Sequence, residues 1–169
     1  MDRLAHRDKP AKQFIAYIPA ANVAKIKEPS IVISIKGAHN ERPEINTQKH
    51  HVFKLDFDVG DWAVECGKNL QEQQVIDLLA FLETHKDSGR DVYVHCTEGR
   101  IRSYSVATVL RQEGMFMNAR GNPLLGPGGC LDRPTCNTMN EYFEKLEKLA
   151  EDKSEEVAST GAVEHVYTQ

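Results

Sequence analysis

The chain has 169 residues, enough for one domain with its own core. Its 40% hydrophobic and 27% charged residues are the mix of an ordinary globular protein in water. A net charge of −4 gives no general attraction to nucleic acid or to acidic membranes, so any affinity for anions has to be local. No stretch approaches the ~18 apolar residues of a membrane span. The first residues, Met1-Asp2-Arg3-Leu4-Ala5-His6-Arg7, lack the apolar centre of a secretory signal. Four cysteines without an export signal suit a reducing compartment, and the expected location is cytoplasmic.

Residues 1–12 are polar and read as a flexible segment. Residues 13–18 read as a first strand ended by Pro19, and Ala20 to Ile26 as a short helix. Residues 30–36, bounded by Pro29 and Gly37, are β-branched and read as a buried strand, followed by a polar loop from Ala38 to Gln48. Residues 50–57 read as a third strand and 58–69 as a loop. Leu70 to Lys86 is expected to be an amphipathic helix with Val75, Ile76, Leu78, Leu79 and Leu82 on one face. Asp91 to Cys96 reads as a fourth strand and Ser103 to Glu113 as the next helix, stopped by Gly114. Residues 118–135, with Gly126-Pro127-Gly128-Gly129, are expected to be a loop near the mouth of a site. Asn137 is a possible cap for a last helix ending at Leu149, with an acidic, disordered tail over 151–169. Strands alternating with helices predict a single α/β domain over 13–150. Its central sheet would be mostly parallel, with helices on both faces and ligands at the carboxyl ends of the strands.

The stretch from Val92 to Ser103 carries the chemistry. Cys96 ends an apolar strand, Gly99 lies in the following loop, and Arg102 comes six positions after Cys96, with Ser103 opening a helix. A loop entering a helix N-terminus points several backbone N–H groups into one concavity, and the helix dipole adds positive potential. That concavity is a cradle for a tetrahedral oxyanion, and the same field favours a thiolate at Cys96. A thiolate can attack phosphorus and hold the phosphoryl group covalently. Arg102 offers a planar fork that matches two phosphate oxygens. Ser103 can donate a hydrogen bond to the sulfur and help it leave. Gly99 permits backbone geometry that a side chain would block.

The string His95-Cys96-Thr97-Glu98-Gly99-Arg100-Ile101-Arg102-Ser103 resembles the signature of the cysteine-dependent protein tyrosine phosphatases. The chain's small size resembles their dual-specificity branch. The resemblance implies a phosphatase fold over the domain. It also implies a phosphate cradle formed by Thr97, Glu98, Gly99, Arg100, Ile101 and Arg102, with supporting hydrogen bonds from His95. Glu98 would orient Arg102 or the loop amides. The implied substrate is a phosphorylated protein, and no cofactor or metal is implied. The chain lacks an identifiable tyrosine-containing loop that would set a deep pocket, which leaves phosphotyrosine, phosphoserine and phosphothreonine all open.

The resemblance further implies an aspartate, on a loop just after an upstream strand, that protonates the leaving oxygen. In Leu55-Asp56-Phe57-Asp58-Val59-Gly60-Asp61-Trp62 the candidates are Asp56, Asp58 and Asp61. Asp56 ranks last because it falls within the strand. Asp58 is the first acid after the strand and matches best. Asp61 is the alternative general acid, with Gly60 as a hinge and Trp62 as a loop anchor.

Cys66, Cys130 and Cys136 read as inert thiols, with a protective disulfide to Cys96 as another use. Cys130 and Cys136 lie six apart, unlike common zinc spacings. Asp132-Arg133-Pro134 reads as a turn. Three other functions remain in competition. One is a catalytically inactive phosphate-binding module. A second is a phosphoinositide-directed phosphatase of the same superfamily, for which Arg100 would supply a second positive charge. The third is sulfur or arsenate chemistry; low-molecular-weight phosphatases and related reductases place the loop early with the acid after it, the reverse of the order here.

Overall fold

The structure, a computed structural model, describes residues 12–167, with side chains described as far as 157. The expected flexible segment 1–12 therefore lies, apart from Lys12, outside the described residues. Among these residues five strands form one parallel sheet: β1 (Phe14–Pro19), β2 (Ile31–Lys36), β3 (His51–Asp56), β4 (Val92–Cys96) and β5 (Met117–Asn118). Their order is β3-β2-β4-β1-β5, so β4 runs through the middle between β2 and β1. Strands in such a position are covered on both faces and need continuous apolar runs. Ile31-Val32-Ile33-Ser34-Ile35 in β2 is buried throughout.

Among the described residues four α-helices accompany the strands: α1 (Asp61–Glu65), α2 (Glu72–Thr84), α3 (Arg102–Gln112) and α4 (Arg133–Tyr167). Side-chain alternation along the strands divides the core in two. Ile15, Ile33, Leu55, Val92, Val94 and Cys96 face one way, into a cluster with Val75, Leu78 and Leu82 of α2, Val106 and Leu110 of α3, and Met139 and Phe143 of α4. Ala16, Ile18 and Val32 face the other way and are covered more thinly. Their cover is Val23 and Ile26, from the 3-10 helix Ala20–Lys25 and its end, with Ile45, Ala119, Leu124 and Leu125 from loops. The long helices thus gather on one face, where α3 lies over β1 and β4 and packs against α4.

Three segments differ from the sequence reading. The 58–69 segment contains the short helix α1, and Met117–Asn118 adds a small edge strand beside Phe14 and Ile15. The last helix starts at Arg133 instead of Asn137. Asp132 caps it, its Oδ2 accepting hydrogen bonds from the Thr135 amide (3.1 Å) and hydroxyl (2.6 Å). Pro134 sits in the first turn, where a missing N–H costs nothing. The helix also continues past Leu149, so 151–167 are helical where an irregular tail was expected. No proline follows Pro134, no glycine occurs before Gly161, and the intervening residues are rich in Glu, Lys and Ala, all good helix formers.

The core contacts of α4 end before its exposed extension. Phe143 is 2% exposed, whereas Leu149 is 57% exposed. Phe143→Ala should lower unfolding free energy by about 3–5 kcal/mol in urea titration. Leu149→Ala should change it by less than about 0.5 kcal/mol.

Candidate active site

β4 carries His95 and Cys96 to the carboxyl end of the sheet, with Cys96 beside Pro19 of β1 and His95 beside Ser34 of β2. The chain then turns through residues 97–101 and enters α3 at Arg102. Cys96 is 3% exposed. The Ser103 hydroxyl lies 3.1 Å from its Sγ, and the Gly99 amide donates to the sulfur at 3.3 Å. Burial alone pushes the thiol pKa up. Hydrogen bonds from the Ser103 hydroxyl and from the amides of Ser103, Gly99 and Arg100 outweigh that effect and hold it below the ordinary thiol value.

This loop closes so tightly that glycine is required at its turn. Gly99 has φ +69°, and a Cβ there would lie 2.7 Å from Ile18 C and Pro19 N. Its other side meets Gly126, where a Cβ would stand 2.5 Å from the Gly99 carbonyl oxygen. The Gly126 amide donates to the Tyr17 carbonyl (2.9 Å) and the Gly128 amide to the Gly99 carbonyl (3.0 Å). The glycine-rich part of 118–135 is therefore a strap packed against the cradle.

The phosphate-binding candidate Arg102 and the first acid candidate Asp58 meet. Arg102 Nη2 lies 3.5 Å from Asp58 Oδ1, with side-chain exposures of 19% and 9%. The Ala38 amide also donates to Asp58 Oδ1, at 3.2 Å. Arg102 Nε is buried and has no hydrogen-bond partner among the described residues. Such an atom is costly unless a ligand acceptor meets it. Asp61 is exposed at the start of α1, and Asp56 pairs instead with Arg42. Trp62, expected to anchor this loop, is 48% exposed. The hinge is held elsewhere: the Gly60 amide donates to Asp132 Oδ1 at 2.9 Å, and the Asp132 amide donates to Ser105 Oγ of α3 at 2.9 Å. Asp132 is thus more than a turn residue; it ties the acid loop to α3 and α4.

His95 is buried, with Nε2 2.6 Å from Ser34 Oγ and Nδ1 3.3 Å from the Cys96 carbonyl. Burial lowers its pKa to about 4, so the ring is neutral near pH 7. Ile101 accepts the Ser105 amide at the helix entry, and the Thr97 carbonyl accepts the Ala20 amide. Glu98 does not orient Arg102. Its carboxylate projects into solvent, 3.8 Å from Arg100 Nε, in a pair whose side chains are 74% and 55% exposed. Water screens such a pair, so it adds little. Cys66 and Cys130 are exposed and Cys136 is half-buried; all are free thiols.

Several residues of this site lay outside the sequence reading. A Cβ on Gly37 would come within 2.4 Å of Asp58 Oδ1, 2.7 Å of Arg102 Nη2 and 2.9 Å of Asn40 Oδ1, so this glycine is the floor on which the two charged groups pack. Its place just after β2, at the carboxyl edge of a parallel sheet, was the available signal. Asp132 followed by Pro134 was a legible helix start. Ser34 and Arg42 gave no local signal.

The depressed thiol pKa has a direct readout. Between the folded and the ordinary value, near 8.5, Cys96 is a thiolate that an unperturbed cysteine is not. The pH profile of its iodoacetamide alkylation, followed by peptide mapping, should have its midpoint below that of free cysteine. Ser103→Ala should move the midpoint up by removing one donor.

Comparison with known proteins gave little. No family model and no curated protein matches the chain. Among solved structures, one described as Tk-PTP in the active form aligns over 79% of this chain and 90% of its own, with 16% identity and a TM-score of 0.43. A likeness this slight assigns neither fold family nor activity, and the chemistry rests on the chain's own residues.

Proposed function

We propose that the chain is a cysteine-dependent phosphomonoester hydrolase of the protein tyrosine phosphatase type, resembling the small dual-specificity branch and acting on phosphorylated proteins. The observation that carries this reading is the pairing of two features. A buried thiol has its pKa depressed by donors aimed at the sulfur, and the buried Nε of Arg102 lacks an acceptor in the same cradle. The first is a nucleophile and the second is half of a fork awaiting phosphate oxygens.

In the reaction, Cys96 Sγ attacks phosphorus and the bond to the leaving oxygen breaks. Arg102 and the amides of residues 97–102 hold the three equatorial oxygens. Asp58, seated by the Ala38 amide, protonates the departing alkoxide or phenoxide through its second carboxyl oxygen. Water then attacks the phosphocysteine and gives its proton to Asp58. The thiolate leaves with a hydrogen bond from Ser103, and inorganic phosphate is released. No step needs a metal or organic cofactor.

The exposed Arg100–Glu98 pair offers no isolated positive charge at the mouth, so it lends no support to an inositol phosphate substrate. The order of elements, acid loop before nucleophile loop, supports the phosphatase reading over sulfur or arsenate chemistry.

Hydrolysis of para-nitrophenyl phosphate without added metal tests the proposal. Cys96→Ser should reduce turnover to background, and Asp58→Ala should lower kcat by roughly a hundredfold or more. Full activity in Asp58→Ala would move the acid to Asp61. A wild type that binds phosphate without turning it over would make the chain a binding module. Gly37→Ala should lower kcat by roughly tenfold or more while leaving thermal unfolding within a few degrees of wild type, because the intruding methyl separates Asp58 from Arg102.

A further inference from the structure

We propose that Arg42 is a positioning residue for the nucleophile, acting through Ser34 to fix the proton of His95 on Nδ1 and so to hold the Cys96 carbonyl and the entry to the cradle. The inference rests on Cys96 being the phosphatase nucleophile. It concerns Arg42 and Ser34, which lie outside the 96–103 loop.

The direction of each hydrogen bond follows from what each group can do. The Cys96 carbonyl only accepts, so His95 Nδ1, 3.3 Å away, must carry a hydrogen. Arg42 only donates, so Ser34 Oγ accepts its Nε–H at 2.8 Å. A neutral imidazole has a single N–H, and with that hydrogen on Nδ1 the Nε2 lone pair accepts the Ser34 hydroxyl at 2.6 Å. The opposite tautomer would set a lone pair on Nδ1 against the Cys96 carbonyl and leave the Ser34 hydroxyl hydrogen without this acceptor. Donation thus runs one way, from Arg42 through Ser34 and His95 to the nucleophile's own carbonyl.

The chain is built to stay fixed. Ser34 and His95 are 0% and 1% exposed and face each other across β2 and β4 in register. Arg42 is clamped by three acceptors: Ser34 Oγ, the Ser34 carbonyl at 3.0 Å, and Asp56 Oδ1. Its side chain is 16% exposed. Its positive charge adds to burial in keeping His95 uncharged, against the pull of the Cys96 carbonyl. A doubly protonated ring would turn Nε2 into a donor and reverse the link to Ser34.

The test uses the full chain labelled with nitrogen-15. In wild type, the ring resonances should show His95 protonated at Nδ1 and bare at Nε2 at pH 7. Arg42→Met should disturb that tautomer, raise the pH midpoint of Cys96 alkylation and lower kcat roughly tenfold, with KM little changed because Arg42 touches no substrate. Arg42→Lys keeps the charge and one donor and should recover part of the loss. Ser34→Ala, a small change that preserves the strand, should reproduce the tautomer and alkylation shifts if Arg42→Met does not fold. A wild-type His95 protonated at Nε2 would overturn the proposal. So would an Arg42→Met protein with unchanged tautomer and alkylation midpoint, which would make the arginine merely structural. Tautomer and alkylation are read without turnover, so a chain inert toward phosphate esters would refute the phosphatase reading while leaving this proposal to its own result.

Discussion

A thiol sealed at the end of a strand becomes an anion only where fixed donors replace the water it has lost. At Cys96 that replacement is made by the Ser103 hydroxyl and by amides of its own loop, at the amino end of α3. Parallel strands on both sides fix where β4 ends. Gly99 permits a turn that any side chain would block, and Gly126 lets the strap close against the turn's outer side.

The acid side of the site is assembled from chain segments far apart in sequence. Asp58 leaves β3 and is seated by the amide of Ala38, which follows β2, while its loop is tied at Gly60 to Asp132 at the start of α4. Asp132 in turn binds Ser105 on the helix whose first residue is Arg102. Asp132 thus links the Asp58 loop, through its carboxylate, to the helix that begins at Arg102, through its backbone amide. The two halves of the proposed site share this frame, which is what a reaction that depends on placement requires.

Much of this was legible in the sequence because the signals were local. A β-branched run bounded by Pro29 and Gly37 marked β2, an apolar run ending at Cys96 marked β4, and the spacing of Cys96, Gly99, Arg102 and Ser103 described a loop entering a helix. What the sequence withheld was non-local. Gly37 looks like an ordinary strand end until Asp58 and Arg102 fold over it, and Ser34 looks like one polar residue in an apolar strand until His95 and Arg42 meet it. Glu98 was expected to reach inward because it sits in the signature, but the loop's curvature turns it to solvent. The longer α4 was missed for a different reason. Its apolar stripe ends near Leu149, and periodicity reports burial, whereas the helix continues on backbone propensity alone.

The central claim is that Cys96 itself takes the phosphoryl group. The most direct test is an acid quench during turnover of a phosphotyrosine peptide, followed by mass spectrometric mapping of the chain. The account predicts transient phosphate on the peptide carrying Cys96, bonded through sulfur. Covalent phosphate on another side chain, or sustained turnover with Cys96 unmodified at every quench time, would contradict it.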